Sequence, residues 1–270
     1  MQKINWYVGH MAKSVSQIKQ QINKVDLVIQ VLDARCINIS SNQELLTICK
    51  NKPIINIALK SDLADLNNKN NYVYYLDINQ KSFVSNVQKI IENKLANQIA
   101  KFKAKGLVNP HFYCIVLGLP NIGKSSFINA FGKKNKVIVQ NCPGVTKTIN
   151  LIKVNKYCSI YDTPGIVVKN ITNLNDGYIL GLIGSISKKV LPIDDVVKFA
   201  FDFYKKFYFR ELQKYFGFKN ECNYQEFLDY IINKYKFIGK HNNNDYTKAY
   251  DFLFNVFVNN KVCKVDYEKK

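Results

Sequence analysis

A run of apolar and β-branched residues, Phe112-Tyr113-Cys114-Ile115-Val116-Leu117, leads without a break into Gly118-Leu119-Pro120-Asn121-Ile122-Gly123-Lys124-Ser125. The second stretch fits G-x-x-x-x-G-K-[ST], and the amphipathic segment after it reads as a helix. Few folds place a strand, a glycine-bounded loop and a helix in that order. The glycines let backbone N–H groups around Asn121, Ile122 and Gly123 turn inward onto phosphate oxygens, beside a helix N-terminus that favours negative charge. Lys124 is placed to bridge a β- and a γ-phosphate, Ser125 to offer its hydroxyl to Mg²⁺, and Ser126 to reach the α-phosphate.

Further motifs lie on both sides of this loop. Downstream come Thr146, after Pro143-Gly144-Val145, and then Asp162-Thr163-Pro164-Gly165. Asp162, closing a strand, can hold Mg²⁺ through water, the Gly165 amide can sense a γ-phosphate, and Thr146 can complete the metal shell when its loop closes. Upstream stands Lys60-Ser61-Asp62. A carboxylate at Asp62 accepts from guanine N1–H and N2–H₂, whereas adenine presents an acceptor at N1 and is repelled. Lys60 would lay its stem over the base. The order is inverted, because a base-reading element of this kind normally follows the phosphate loop.

Strand-like runs at residues 26–32, 53–59, 72–76 and 112–117 alternate with helical stretches, and residues 148–154 and 157–161 read as a hairpin around Asn155-Lys156. The longest helical face carries Val84, Val87, Ile91, Leu95, Ile99 and Phe102, with Ser82 as N-cap and Gly106 as the stop. Alternation of this kind implies a mainly parallel sheet covered on both faces, with ligands at the carboxyl ends of its strands. The motifs named above fall at such ends. From Pro192 onward no strand-like run remains. Residues 1–186 therefore read as an α/β domain with a P-loop, and residues 187–270 as a small all-helical domain.

Net charge is +19, from 39 basic and 20 acidic residues spread along the chain, and residues 106–185 hold only two acids, Asp162 and Asp176. Such an excess calls for a polyanionic partner. Lys205, Lys206, Arg210 and Lys214, interleaved with a helical apolar face, are the candidate RNA contacts. A 47% hydrophobic content excludes disorder, and the apolar runs are too short to span a membrane. No secretory signal is expected at the N-terminus. Seven cysteines without a C-x-x-C pair point to reduced thiols.

These residues resemble the circularly permuted GTPases of the ribosome biogenesis GTPase A (YlqF-type) family over nearly the whole chain. Trp6-Tyr7-Val8-Gly9-His10-Met11-Ala12-Lys13 is similar to that family's W-F-P-G-H-M-x-K, and Asp33-Ala34-Arg35 with Ser40-Ser41-Asn42 to its D-A-R-x-P-x-S-S-x-N segment. The resemblance implies a permuted GTPase domain and a cytoplasmic, monomeric protein. Such a protein binds GTP and GDP with Mg²⁺ and matures the large ribosomal subunit by gripping its precursor rRNA through the helical domain. Ile166 stands where many GTPases place a water-orienting glutamine, so the resemblance makes His10 the candidate to position water. It makes Asn121 the candidate for potassium-assisted hydrolysis. An RNA-binding factor that keeps nucleotide as a structural ligand is the alternative. Three positions depart from the family pattern: Leu59 replaces the Asn of N-K-x-D, Val8 a Pro, and Asn38 the Pro of the D-A-R segment.

Overall fold

The computed structural model describes residues 9–49, 51–67, 69–107, 109–132, 149–167, 171, 173–218, 221–239 and 243–270, with the side chains of residues 9–12 left out. Its strands are β1 (Leu27–Asp33), β2 (Ile54–Leu59), β3 (Tyr74–Tyr75), β4 (Phe112–Leu117), β5 (Asn150–Lys153) and β6 (Cys158–Asp162). Its helices are α1 (Gly9–Gln21), α2 (Ile37–Ser40), α3 (Gln43–Ile48), α4 (Phe83–Lys94), α5 (Ala96–Ala104), α6 (Lys124–Gly132), α7 (Leu174–Leu182), α8 (Ile193–Phe207), α9 (Phe209–Phe216), α10 (Tyr224–Tyr235) and α11 (Tyr246–Val258).

The strands form one sheet in the order β3-β2-β1-β4-β6-β5. Every pairing is parallel except β5 with β6, the expected hairpin. β1 lies inside the sheet and is buried along its whole length, which explains a run without polar alternation. Because β1 and β4 are neighbours, Asp33 and Gly118, each just past a long apolar run, emerge on the same rim.

Two expected elements are shorter than their patterns suggest. Tyr72 is 86% exposed, and β3 pairs only through Tyr74 and Tyr75, in keeping with a clipped edge strand. The long helix breaks at Leu95 into α4 and α5. Val87, Ile91 and Leu95 are buried, but α5 contributes no fully buried residue, so one continuous apolar stripe does not describe both halves. Ser82 stands at the N-cap position of α4, as expected, but makes no side-chain capping bond. Its backbone is already helical, its hydroxyl takes no bond from the helix amides, and it accepts instead from Asn86 Nδ2 at 3.3 Å. Gly106 does end α5, at φ +81, with the Leu107 amide reaching back to Phe102 O.

The C-terminal helices pack around aromatic rings. Phe201 stacks on Phe227 with centroids 4.6 Å apart, and Phe216 meets Phe227 edge-on at 5.1 Å. Asn223 and Glu226 form a reciprocal capping box that starts α10. α8 ends at Phe207 because Tyr208 leaves helical geometry, and α9 begins at Phe209. No described helix is long and apolar enough to cross a membrane. The Phe227→Ala variant should lose about 3–5 kcal/mol of unfolding free energy in urea, because its ring is fully buried among other aromatics.

Candidate nucleotide site

The phosphate loop connects β4 to α6, with the first helical residue at Lys124. Lys124 is buried, and its Nζ donates to Leu119 O at 2.7 Å and Gly118 O at 3.2 Å. Burial lowers its pKa to about 8 against the opposing pull of the Asp162 charge. Burial likewise raises the Asp162 carboxyl to about 6, opposed by Lys124 and by the Thr163 amide. Asp162 Oδ1 is buried without a hydrogen-bond partner among the described residues. Thr163 Oγ1 donates to Val116 O at 2.6 Å, pinning the start of this turn to β4.

Gly165 closes against the phosphate loop. A Cβ there would lie 2.5 Å from both the Cα and the N of Pro120, so only glycine permits the approach. Ile166 is buried, and its amide donates to Gly118 O at 3.3 Å. An apolar side chain sunk in the core cannot orient water. Asn121 holds a left-handed backbone at φ +55, and its Nδ2 donates to Gly184 O at 3.0 Å. Ser185 Oγ donates to Pro120 O at 2.9 Å, so the segment after α7 supports the loop from outside.

The Lys60-Ser61-Asp62 motif follows β2 and reaches this loop directly. Lys60, at φ +59, donates from Nζ to Asn121 O at 3.2 Å although the two residues are 61 apart in sequence. Leu59 is buried, with its Cδ1 3.0 Å from where a Cβ on Gly123 would sit. Apolar contact with the phosphate loop therefore occupies the position of the missing asparagine. Ser61 is half-buried and Asp62 exposed in the turn that follows, closed by the Leu63 amide on Lys60 O at 3.0 Å. After β3 the chain turns at Asp77, whose Oδ1 accepts from the Asn79 amide.

Sequence reasoning gave no role to the residues that hold Lys60 from behind. Asp33, fully buried at the end of β1, accepts from Lys60 Nζ at 3.1 Å and from Arg35 Nε and Nη2, both at 2.8 Å. Burial alone would raise this carboxyl. The Lys60 and Arg35 charges, with the Arg35 hydrogen bonds, outweigh that and hold it well below the aspartate range. The D-x-R spacing was visible, but nothing local announced its partners. Asn42 caps α3 through the Leu45 amide and donates to Ile166 O at 3.2 Å, tying the S-S-N segment to the loop beyond Gly165. Asn38 donates to Glu268 at 2.8 Å.

Ser125 and Ser126 occupy the first turn of α6, half-buried. Thr146 and Val8 lie outside the described residues. His10 falls in the first turn of α1 with its side chain outside the description. Of the four candidate RNA contacts, Lys206, Arg210 and Lys214 are exposed at four-residue intervals. Lys205 is the exception: it donates to Cys222 O at 2.9 Å and pairs with Glu221, so it serves the helical domain itself.

A parallel sheet that gathers a phosphate loop, a D-x-x-G turn and a K-x-D turn on one rim defines a P-loop GTPase, here with the base-reading strand ahead of the phosphate loop. A family profile described as a 50S ribosome-binding GTPase matches residues 113–220. The probable ribosome biogenesis GTPase A of Mycoplasma genitalium is 33% identical over 266 residues, covering 98% of this chain and 97% of its own. The ribosome biogenesis GTPase A of Bacillus cereus is 28% identical, covering 98% and 93%. The crystal structure of GNP-bound YlqF from T. maritima superposes with a TM-score of 0.62 at 21% identity, covering 95% of this chain and 98% of that one. The chain belongs to the ribosome biogenesis GTPase A family, and it is a GTP-binding, GTP-hydrolysing protein with that family's permuted fold.

Replacing Asp33 by Asn should cost about 3–5 kcal/mol, because Arg35 is left buried without its counter-charge. Since the native pKa is depressed, the Asp33 contribution is complete above the ordinary value of 3.8 and fades as acid carries the pH toward the native one. In urea unfolding across pH, the gap between wild type and Asp33→Asn should be constant above that value and narrow below it.

Proposed function

We propose that this protein acts as a guanine-nucleotide switch in the assembly of the large ribosomal subunit, binding a precursor particle through its RNA and releasing it after GTP hydrolysis. The observation that carries the reading is the bond from Lys60 to the Asn121 carbonyl, which sets the base-reading turn against the phosphate loop. In this reading Asp62 accepts from guanine N1–H and N2–H₂, and Lys60 and Ser61 frame the base. The amides of Asn121, Ile122 and Gly123, with Lys124 and Ser126, hold the phosphates.

Mg²⁺ fits the residues present. The partnerless buried oxygen of Asp162 needs a positive partner or a water, and Ser125 begins the helix that follows the loop. When bound, the ion would supply charge to the β- and γ-phosphate oxygens; Ser125, Asp162 and Thr146 would hold it. The Gly165 amide would respond to the γ-phosphate, and Gly165 can do so because it already abuts Pro120. With Ile166 buried, water positioning falls to His10. Asn121 is the residue that would face a potassium ion. Its Nδ2 is committed to Gly184, which fixes the side chain and leaves Oδ1 as the donor atom.

The family profile's description and the relatives' names support a ribosomal partner, and the net charge of +19 supports contact with RNA phosphates. Lys206, Arg210 and Lys214 are the proposed RNA-facing residues. The protein is read as a cytoplasmic monomer.

GTP hydrolysis should be slow alone and rise when large-subunit precursor particles are added, and His10→Ala should cut the stimulated rate by about a hundredfold. No stimulation over a broad range of particle concentration would defeat the switch reading. Asp62→Asn reverses the hydrogen-bonding sense toward guanine. It should weaken GDP about a hundredfold and favour xanthosine diphosphate, as measured by competition binding. An unchanged preference would remove Asp62 from the base site.

A further inference from the structure

The chain leaving α11 returns to the base-reading turn and is bonded to it along both flanks. Val265, fully buried, pairs in parallel with Ala64: the Val265 amide donates to Leu63 O and the Asp65 amide to Val265 O, both at 3.1 Å. Asn260 Nδ2 donates to the same Leu63 carbonyl at 3.2 Å. On the other flank Asn260 Oδ1 accepts from Arg35 Nη1 at 2.6 Å, and the Tyr267 amide donates to Arg35 O at 2.8 Å. Glu268 then accepts from the Ile39 amide at 2.7 Å. From the kink between α8 and α9, Tyr208 donates to Asp65 at 3.1 Å and accepts from the Asp266 amide at 2.9 Å.

The turn that carries Asp62 is thus held at two ends by different parts of the molecule. At its start, Lys60 is fixed by Asp33 and by the phosphate loop. At its finish, Leu63–Asp65 is fixed by Asn260, Val265 and Tyr208 of the helical domain. Asn260 belongs to both arrangements, because it bonds Leu63 O directly and bonds Asp33 through Arg35. Asp62 itself is exposed in the short stretch between these anchors. A carboxylate that must meet two donors of a base depends on how well the backbone beneath it is held.

We infer that residues 260–268 form a strap through which the helical domain sets the base-reading turn, with Asn260 and Arg35 as positioning residues for guanine. Binding free energies are reciprocal, so whatever the strap adds to guanine affinity, guanine adds to the docking of the strap. The helical domain thereby senses the base without a contact of its own to the nucleotide. The inference rests on Asp62 reading the base, as proposed above.

Asn260→Gly is the informative variant. Asn260 sits at φ +48, where alanine would be strained, whereas glycine removes the side chain and keeps the backbone relaxed. In the full-length protein, the dissociation constant for GDP should rise about five- to tenfold while that for ADP stays at the wild-type value. In the wild type, GDP should slow amide hydrogen exchange at Asp65 and Val265. Unchanged GDP affinity in the variant, an equal loss for GDP and ADP, or no effect of GDP on that exchange would each overturn the strap. If the variant does not fold, the wild-type exchange measurement decides. A wild type that fails to prefer GDP over ADP would instead refute the base-reading role of Asp62, which separates the two failures.

Discussion

The Asp33 carboxylate is the interaction around which the two halves of the site are arranged. It ends the fully buried strand β1, where an unpaired charge would be untenable. Arg35 meets it with two parallel bonds and Lys60 with a third. Lys60 extends the connection to Asn121, and Arg35 extends it to Asn260. A buried cluster of this kind adds little net stability over an apolar replacement of the same shape. Its effect is on geometry: the Lys60-Ser61-Asp62 turn, the phosphate loop and Asn260 keep one relative placement because Lys60 and Arg35, both paired with this carboxylate, bond the Asn121 carbonyl and the Asn260 side chain in turn.

That placement explains why the inverted motif order costs the fold nothing at the site. A nucleotide meets the ends of strands and is indifferent to the order in which the chain visits them. The sheet order β3-β2-β1-β4-β6-β5 keeps β2, with Lys60 after it, one strand away from β4 and its phosphate loop, and β6 with Asp162 on the other side of β4. Parallel neighbours bring Asp33, Lys60, Gly118 and Asp162 out on one rim. The crossovers that connect them are covered by helices, as a parallel sheet buried on both faces requires.

What was legible in the amino-acid order was local. The phosphate loop could be read because eight consecutive residues carry its chemistry and a continuous apolar strand precedes it. β1, β2, β4 and the β5–β6 hairpin were readable from apolar runs, since burial in this sheet leaves little room for polar residues. Length was read less well. Tyr72 and Val73 have strand propensity, but an edge position gives them no partner. Helical periodicity encodes neither the break at Leu95 nor the kink at Tyr208, whose hydroxyl bonds the distant Asp65 and Asp266. The Asp33-Arg35-Asn260 chain was hidden for the same reason: 225 residues separate its last two members. At Leu59, where the family has Asn, the substitution itself was legible but its surroundings were not: the structure buries it against the phosphate loop and gives the Asn121 carbonyl to Lys60.

The charges deepest in the site point in the same direction. Lys124 and Asp162 are both buried, and burial pushes each toward its neutral form, the amine down to about 8 and the carboxyl up to about 6. Each opposes the other's shift, but Lys124 spends its hydrogen bonds on Gly118 O and Leu119 O, and Asp162 Oδ1 finds no donor among the described residues. Carbonyl dipoles are weaker partners for an ammonium than phosphate oxygens, and a buried carboxylate oxygen is better matched by a cation or its bound water. A phosphate chain with its metal would supply opposite charge to both at once and so favour the ionised form of each group. The Lys60 end of the site is built in the opposite manner, with the Asp33 carboxylate already paired with Arg35 and Lys60. In the proposed reading, phosphate and metal would satisfy charges left unmatched at Lys124 and Asp162, while base selection would rely on a turn already fixed by Asp33 and Lys60.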